Sequence, residues 1–198
     1  IGIDAEVVTE PVDEWMHTYE SDGKNILEKF YEDQNKWSIC FQMNSFISRI
    51  KKINDAYYND LNQEIPNKII FVERSIYTDR FCFAQNCYET GKMTKLEYDV
   101  YCRWNDWLAA EFQVQPSAYI YIRCMPNVNN ERIIKRSRDG ESNIPIEYLQ
   151  MLHNKHEEWM TLEKSKIPVL TIDAMEDFTQ EPIMDKLFTN VYEFIEAL

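Results

Sequence analysis

The sequence predicts an α/β fold in which a central parallel sheet is flanked by helices, and three observations predict it. Short apolar runs alternate with longer segments of helical periodicity. One of these runs, Lys68-Ile69-Ile70-Phe71-Val72, is continuously apolar, as parallel strands covered on both faces are. Only four glycines occur in 198 residues, and polar, helix-forming stretches dominate, which favours a helix-rich fold over an all-β one. That length fits a single domain and suffices for a sizeable core.

The elements follow in order. Glu6-Val7-Val8-Thr9 is a short β-type run stopped by Glu10-Pro11. Residues 25–33 read as a helix with Ile26, Leu27 and Phe30 inward. A long helix is expected from Trp37 to about Tyr58, with Ile39, Met43, Phe46 and Ile50 as its apolar stripe. The Lys68–Val72 strand comes next, then a helix over 78–89 closed near Gly91. Thr94 and Glu97 have the spacing of a capping box for a helix reaching about Phe112. Residues 118–124 form the next strand, and Pro126 opens a helix running to about Arg138. A loop at 139–143 precedes a helix over 145–164, a strand over 168–173 and a last helix from Glu181. Repeats, linkers and low-complexity stretches are absent from the sequence.

The formal charge of −13 argues against nucleic-acid polymers and anionic membranes as partners, so an anion site has to be a local cluster of basic residues. No apolar run approaches the roughly 18 residues of a membrane span, and the opening residues do not have the pattern of a signal peptide. The five cysteines are scattered without a C-x-x-C pair and read as reduced core thiols of an intracellular protein. His17, His153 and His156 have no zinc-ligand spacing.

Chemistry is expected at four places. On the long helix, Gln42, Ser45 and Arg49 share an arc of about 60° beside the apolar stripe; they either cap core hydrogen bonds or face a pocket. Glu73-Arg74-Ser75 follows the apolar strand directly, where open α/β sheets gather functional groups. These residues suit a metal ion and an anion, or else an ordinary strand-end ion pair. Glu10 stands in the same relation to the first strand, as a general base or a turn residue. Arg132, Lys135, Arg136 and Arg138 crowd one short helix of an acidic protein. Arg132 and Arg136 lie one turn apart, as a phosphate clamp or a solvated face.

Five segments, VVTEPVDEW, KWSICFQMNSFISRI, FVERSIYTDRFCFAQNCYE, RIIKRSRDGESNIPIEYLQMLHNKHEEWM and PVLTIDAMEDF, resemble in content and order the deoxyribonucleoside kinase family, most closely its deoxyguanosine and deoxycytidine kinase branch. The resemblance runs from Val7 to the C-terminus. It implies a three-layer P-loop-kinase-like fold forming one domain over residues 1–198, and transfer of the γ-phosphate of ATP or another nucleoside triphosphate to the 5′-hydroxyl of a deoxynucleoside. Mg²⁺, a homodimer and a cytoplasmic or mitochondrial location are implied with it. The long helix and the helix that begins after Thr94 are the expected dimer contacts.

The resemblance also implies roles. Glu10 is the general base, Glu73 helps hold Mg²⁺, and Arg74 contacts the 5′-oxygen and phosphate. Gln42 bonds the nucleobase, the Arg49–Asp79 pair reads its polar edge, and Ser45 leaves room beside it. Trp15, Phe30 and Phe83 pack around the base, while Tyr31 and Glu141 bind the 3′-hydroxyl. Arg132, Arg136 and Arg138 belong to the lid over the transferring phosphate, and Glu176, Asp177 and Phe178 to the loop around the donor base. The family opens with a strand, a G-x-x-x-x-G-K-[ST] loop and a helix; the sequence contains no such motif, and the expectation is that this segment precedes Ile1. The alternative is a nucleoside-binding or regulatory subunit of the same fold without turnover.

Overall fold

The computed structural model describes residues 5–61, 69–112, 114–138, 144–164 and 166–198. They form two compact units, 1–115 and 116–198.

In the first unit, β1 (Ala5–Val8) and β2 (Ile69–Val72) pair in parallel, Ala5 opposite Ile69 and Val8 opposite Val72. The Glu73 N–H continues the ladder to the Val8 carbonyl at 2.8 Å, so both chains leave the pair at the same end. β2 is half-buried at all four positions rather than sealed on both faces. Among the described residues it is hydrogen-bonded to β1 alone.

Pro11 ends β1 and leads into α1 (Val12–Met16), a short helix that the sequence pattern did not reveal. α2 (Ile26–Glu32) starts where Asn25 and Glu28 form a reciprocal capping box. α3 (Gln34–Leu61) begins three residues before the expected Trp37, because Asp33 receives the Lys36 N–H on its carboxylate and the Trp37 N–H on its carbonyl. Its 28 residues span roughly 42 Å. α3 serves two apolar clusters: Phe41 joins Trp15, Ile26, Leu27, Phe30, Cys87 and Met93, whereas Phe46 and Ile50 pack with Ile76, Ala84 and Tyr101. Each such large side chain, once buried, contributes about 1.5–3 kcal/mol.

The segment read as one helix over 78–89 begins earlier and is not uniform. Ser75 caps α4 (Ile76–Thr78), a π-helical turn covers Asp79–Ala84, and α5 (Gln85–Glu89) closes the segment. Within the turn the Gln85 N–H reaches back to the Arg80 carbonyl. Apolar spacing cannot distinguish an α turn from a π turn, and π turns are rare but frequent at functional sites. α6 (Lys95–Glu111) carries the expected Thr94–Glu97 capping box.

In the second unit, β3 (Tyr119–Arg123) and β4 (Val169–Asp173) pair in parallel from Tyr119–Val169 to Arg123–Asp173. α7 (Pro126–Arg136), α8 (Ile146–Glu163) and α9 (Glu181–Glu196) complete it. α7 stops two residues short of the expected Arg138 because Ser137 takes a left-handed conformation, φ 51°, and ends the helix. Arg138 therefore lies beyond the helix. The thiols divide by position: Cys82, Cys87 and Cys124 are buried, Cys102 is half-buried, and Cys40 is exposed, so not all five are core residues as expected. No described helix is long and apolar enough to cross a membrane.

Candidate active site

β1 and β2 end side by side, and the residues that follow each strand meet there. The Glu10 N–H donates to Glu73 Oε2 at 3.1 Å, which joins the two strand ends. Arg74 takes a left-handed conformation, φ 63°, unusual for a residue with a side chain. The chain turns there toward the Ser75 cap, and Arg74 Nη1 donates to Glu10 Oε1 at 3.1 Å. Its guanidinium also lies 4.7 Å from the Phe83 ring centroid.

Arg49 approaches the same carboxylate from α3. Its Nη2 donates to Glu10 Oε1 at 2.7 Å, its Nε to Asp79 Oδ2 at 2.7 Å, and its Nη1 to the Glu73 carbonyl at 2.7 Å. A fourth bond runs from Nη2 to Asp79 Oδ1 at 3.2 Å. Arg49 is 1% exposed and Asp79 2%, while the Glu10 side chain retains 9%. Burial works against the Arg49 charge, but Asp79 and Glu10 outweigh it and hold the guanidinium protonated. Burial pushes the Asp79 carboxyl up, against the pull of Arg49.

Glu10, Arg49, Glu73, Arg74 and Asp79, picked from three separate stretches of sequence, thus form one network, with Phe83 beside it. Chemically, the arrangement holds a carboxylate in a fixed orientation between two guanidinium groups, one sealed and one open to solvent. Such a group can accept a proton from a hydroxyl while an adjacent cation faces an anion. Among the described residues no three His, Cys, Asp or Glu side chains gather as a metal cage. Glu73 is instead a single exposed carboxylate at a strand end, which suits Mg²⁺, an ion held through one or two carboxylates with water and substrate phosphate.

The remaining acceptor-side candidates lie on the same unit. Gln42 is buried at 1% exposure, with its amide directed to Cys87 Sγ at 4.0 Å. Ser45 is buried one turn before Arg49. Trp15 and Phe30 belong to the cluster around Phe41; Phe30 stacks on Phe41 at 4.6 Å and Trp15 meets it edge-on at 5.4 Å. Tyr31 is half-buried against Phe30. Ser48 was missed: it accepts the Trp15 indole N–H at 3.0 Å and donates to the Asn44 carbonyl at 2.7 Å. Its place about 60° from Ser45 around the helix, just outside the arc of Gln42, Ser45 and Arg49, was the available signal.

In the second unit, Arg132 reaches from α7 to the loop after β4. Its Nη2 donates to the Glu176 carbonyl at 3.0 Å, its Nη1 to Cys124 Sγ at 3.4 Å, and its guanidinium lies 5.2 Å from the Phe178 ring centroid. Asp177 accepts the N–H and hydroxyl of Thr179, which hold its carboxyl below the usual range. Arg132 is therefore engaged with the Glu176–Phe178 loop, and Arg136, one turn on, is exposed. Arg138 is half-buried beyond the helix. Glu141 lies outside the described residues.

The sequence matches the deoxynucleoside kinase family over residues 2–196. It is 36% identical to mouse deoxycytidine kinase over 217 aligned positions, covering 98% of this chain and 82% of that protein. Deoxycytidine kinase 1 of Xenopus laevis is 35% identical, with 98% and 81% coverage. Human mitochondrial thymidine kinase 2 is 32% identical, covering 86% of this chain and 62% of that protein. With its parallel strands, predominant helices and clustered Glu10, Glu73 and Arg74, this chain belongs to the deoxynucleoside kinase family, and is a phosphotransferase with the P-loop-kinase-like fold of that family.

Proposed function

We propose that the protein transfers the γ-phosphate of ATP, or of another nucleoside triphosphate, to the 5′-hydroxyl of a deoxynucleoside, with deoxyguanosine or deoxyadenosine preferred and deoxycytidine second. The observation that carries the reading is the Glu10 carboxylate held by Arg49 and Arg74 where β1 and β2 end. Glu10 takes the proton of the 5′-hydroxyl, and Arg74 faces the oxygen and phosphate. Phosphoryl transfer asks little covalent chemistry of a protein, and positioning plus charge neutralisation dominate. Glu73 would hold Mg²⁺, which supplies charge neutralisation on the phosphates. Arg132, Arg136 and Arg138 serve the transferring phosphate, and Glu176, Asp177 and Phe178 the donor base. Gln42, Ser45, Trp15, Phe30 and Phe83 serve the acceptor base, and Tyr31 and Glu141 the 3′-hydroxyl. Residues 1–198 act as one kinase domain.

The purine preference rests on Ser45 and the Arg49–Asp79 pair. Arg can donate to O6 and N7 of guanine, and Asp can accept from a ring or amino N–H. Thymine offers Asp79 no amino group and presses its 5-methyl toward a charged pair. The relatives are named for deoxycytidine and thymidine, so the test is a comparison of kcat/KM for the four deoxynucleosides. Purines ahead and thymidine far behind support the reading. Thymidine within about threefold of the best purine overturns the preference, since an unmet buried hydrogen-bonding group costs more than that.

A homodimer and an intracellular location, cytoplasmic or mitochondrial, complete the proposal. Leu96, Val100, Trp104 and Trp107 form an exposed apolar stripe on α6, a feature that marks interaction sites. Light scattering on the eluting protein tests the dimer; a mass of one chain at micromolar concentration rejects it.

A further inference from the structure

The π-helical turn that carries Asp79 and Phe83 is fastened to α6 by contacts unrelated to the reacting groups. Asn105, 1% exposed, donates from Nδ2 to the Ile76 carbonyl at 3.4 Å, just before the turn. Arg80, the residue after Asp79, pairs with Asp106. Tyr101, fully buried, meets Phe46 edge-on at 5.3 Å and packs with Ile76 and Ala84. Tyr88 and Tyr98 stack in parallel at 4.7 Å. Asn105 is the anomaly in this set, because a buried amide is costly unless its hydrogen bonds are made. An apolar residue would suit the neighbouring cluster better if packing alone were the requirement.

A π turn advances fewer degrees per residue than an α turn, so relaxing Asp79–Ala84 to α-helix would rotate Phe83 relative to Asp79. We propose that Asn105 is a positioning residue for acceptor recognition: by holding the Ile76 carbonyl it fixes where the π turn begins, and so the orientation in which Asp79 meets Arg49 and Phe83 meets Arg74. The proposal rests on the deoxynucleoside kinase reading above and adds to it a residue remote from the reacting groups. Asn105 acts through Asp79 and Phe83, so its influence falls on nucleoside recognition, while donor binding is untouched.

The test uses the full chain and compares Asn105→Leu with the parent in the four-deoxynucleoside panel. Titration of the preferred deoxynucleoside by intrinsic tryptophan fluorescence gives binding without turnover. The expected result is an acceptor KM and dissociation constant raised about five- to tenfold, the scale of one lost hydrogen bond with an orphaned partner, with donor KM unchanged. In an Asp79→Ala background the same Asn105 substitution should have a smaller effect than in the parent, with only the part exerted through Phe83 remaining, because coupled residues are non-additive. Acceptor constants unchanged in Asn105→Leu overturn the proposal, as does an equal effect with and without Asp79, which marks general loosening. Asn105→Ser, whose hydroxyl is too short to replace the amide, takes the place of a leucine variant that does not fold and answers to the same outcomes. A parent that neither binds nor phosphorylates any deoxynucleoside refutes the functional reading itself; a normal parent with an indifferent Asn105 refutes this inference alone.

Discussion

Arg49 Nε lies 2.7 Å from Asp79 Oδ2 in a space nearly closed to solvent, and the same guanidinium reaches Glu10 Oε1 at 2.7 Å. One buried cation therefore holds both the carboxylate assigned to base reading and the carboxylate assigned to proton transfer. Removing one member of such a pair strands the other without hydration, whereas replacing both with apolar groups is often tolerated. Asp79→Ala should destabilise the fold by about 3–5 kcal/mol. The double variant Arg49→Met, Asp79→Ala should recover a large part of that loss. Urea unfolding of the three proteins checks this; a double variant less stable than Asp79→Ala shows that the Arg49 bonds to Glu10 and Glu73 dominate instead.

Glu10 is the carboxylate on which Arg49 and Arg74 converge. Glu10→Gln keeps the shape and one acceptor oxygen but cannot accept the hydroxyl proton. It should lower kcat by about 10²–10⁴ with little change in nucleoside binding. Steady-state kinetics on the full chain decide this, and a kcat within threefold of the parent rejects Glu10 as the base.

Arg132 and Arg136 differ in their surroundings, and their variants should differ too. Arg132 bonds the Glu176 carbonyl and lies by Phe178, so Arg132→Ala should raise the donor KM as well as lower kcat. Arg136 is exposed, and Arg136→Ala should act on kcat alone. Each should cost several kcal/mol of transition-state stabilisation, with melting temperature little changed for Arg136. Donor titrations of the two variants separate the cases; identical donor KM values contradict the distinction.

Glu157 accepts Arg123 Nε at 2.9 Å and the Tyr121 hydroxyl at 2.7 Å. The Arg123 bond is the foremost cause that holds its carboxyl below the usual range. A depressed folded-state pKa contributes stability that is present above the unfolded value and lost as pH falls through the folded one. Glu157→Gln should therefore be less stable than the parent at pH 7 and should converge with it in acid. Both partners are partly open to water, so the gap should stay below about 1 kcal/mol. Melting temperatures from pH 7 to pH 3 check the direction; a gap that widens in acid contradicts it.

Much of this protein was written locally. The capping boxes at Asn25–Glu28 and Thr94–Glu97, the stop at Gly91 and the apolar runs of β2, β3 and β4 each follow from neighbours within a few residues, where hydrogen bonding and side-chain sterics act. The placement of Glu10, Glu73 and Arg74 just past strand ends was legible for the same reason, and the roles proposed for them come from the family motifs. What lay beyond local reach required chain segments distant in sequence to meet. The π turn at Asp79–Ala84 has the apolar spacing of an ordinary helix and is braced by α6 through contacts 26 and 29 residues apart in the chain. The convergence of Arg49 on Glu10, Asp79 and the Glu73 carbonyl spans three separate elements. The attachment of Arg132 to the loop after β4 links residues 44 positions apart. Local propensity chooses helix or strand because its interactions span a few residues. Which charges share a site is decided by packing, because the energy of a buried ion pair depends on every group that displaces water from it.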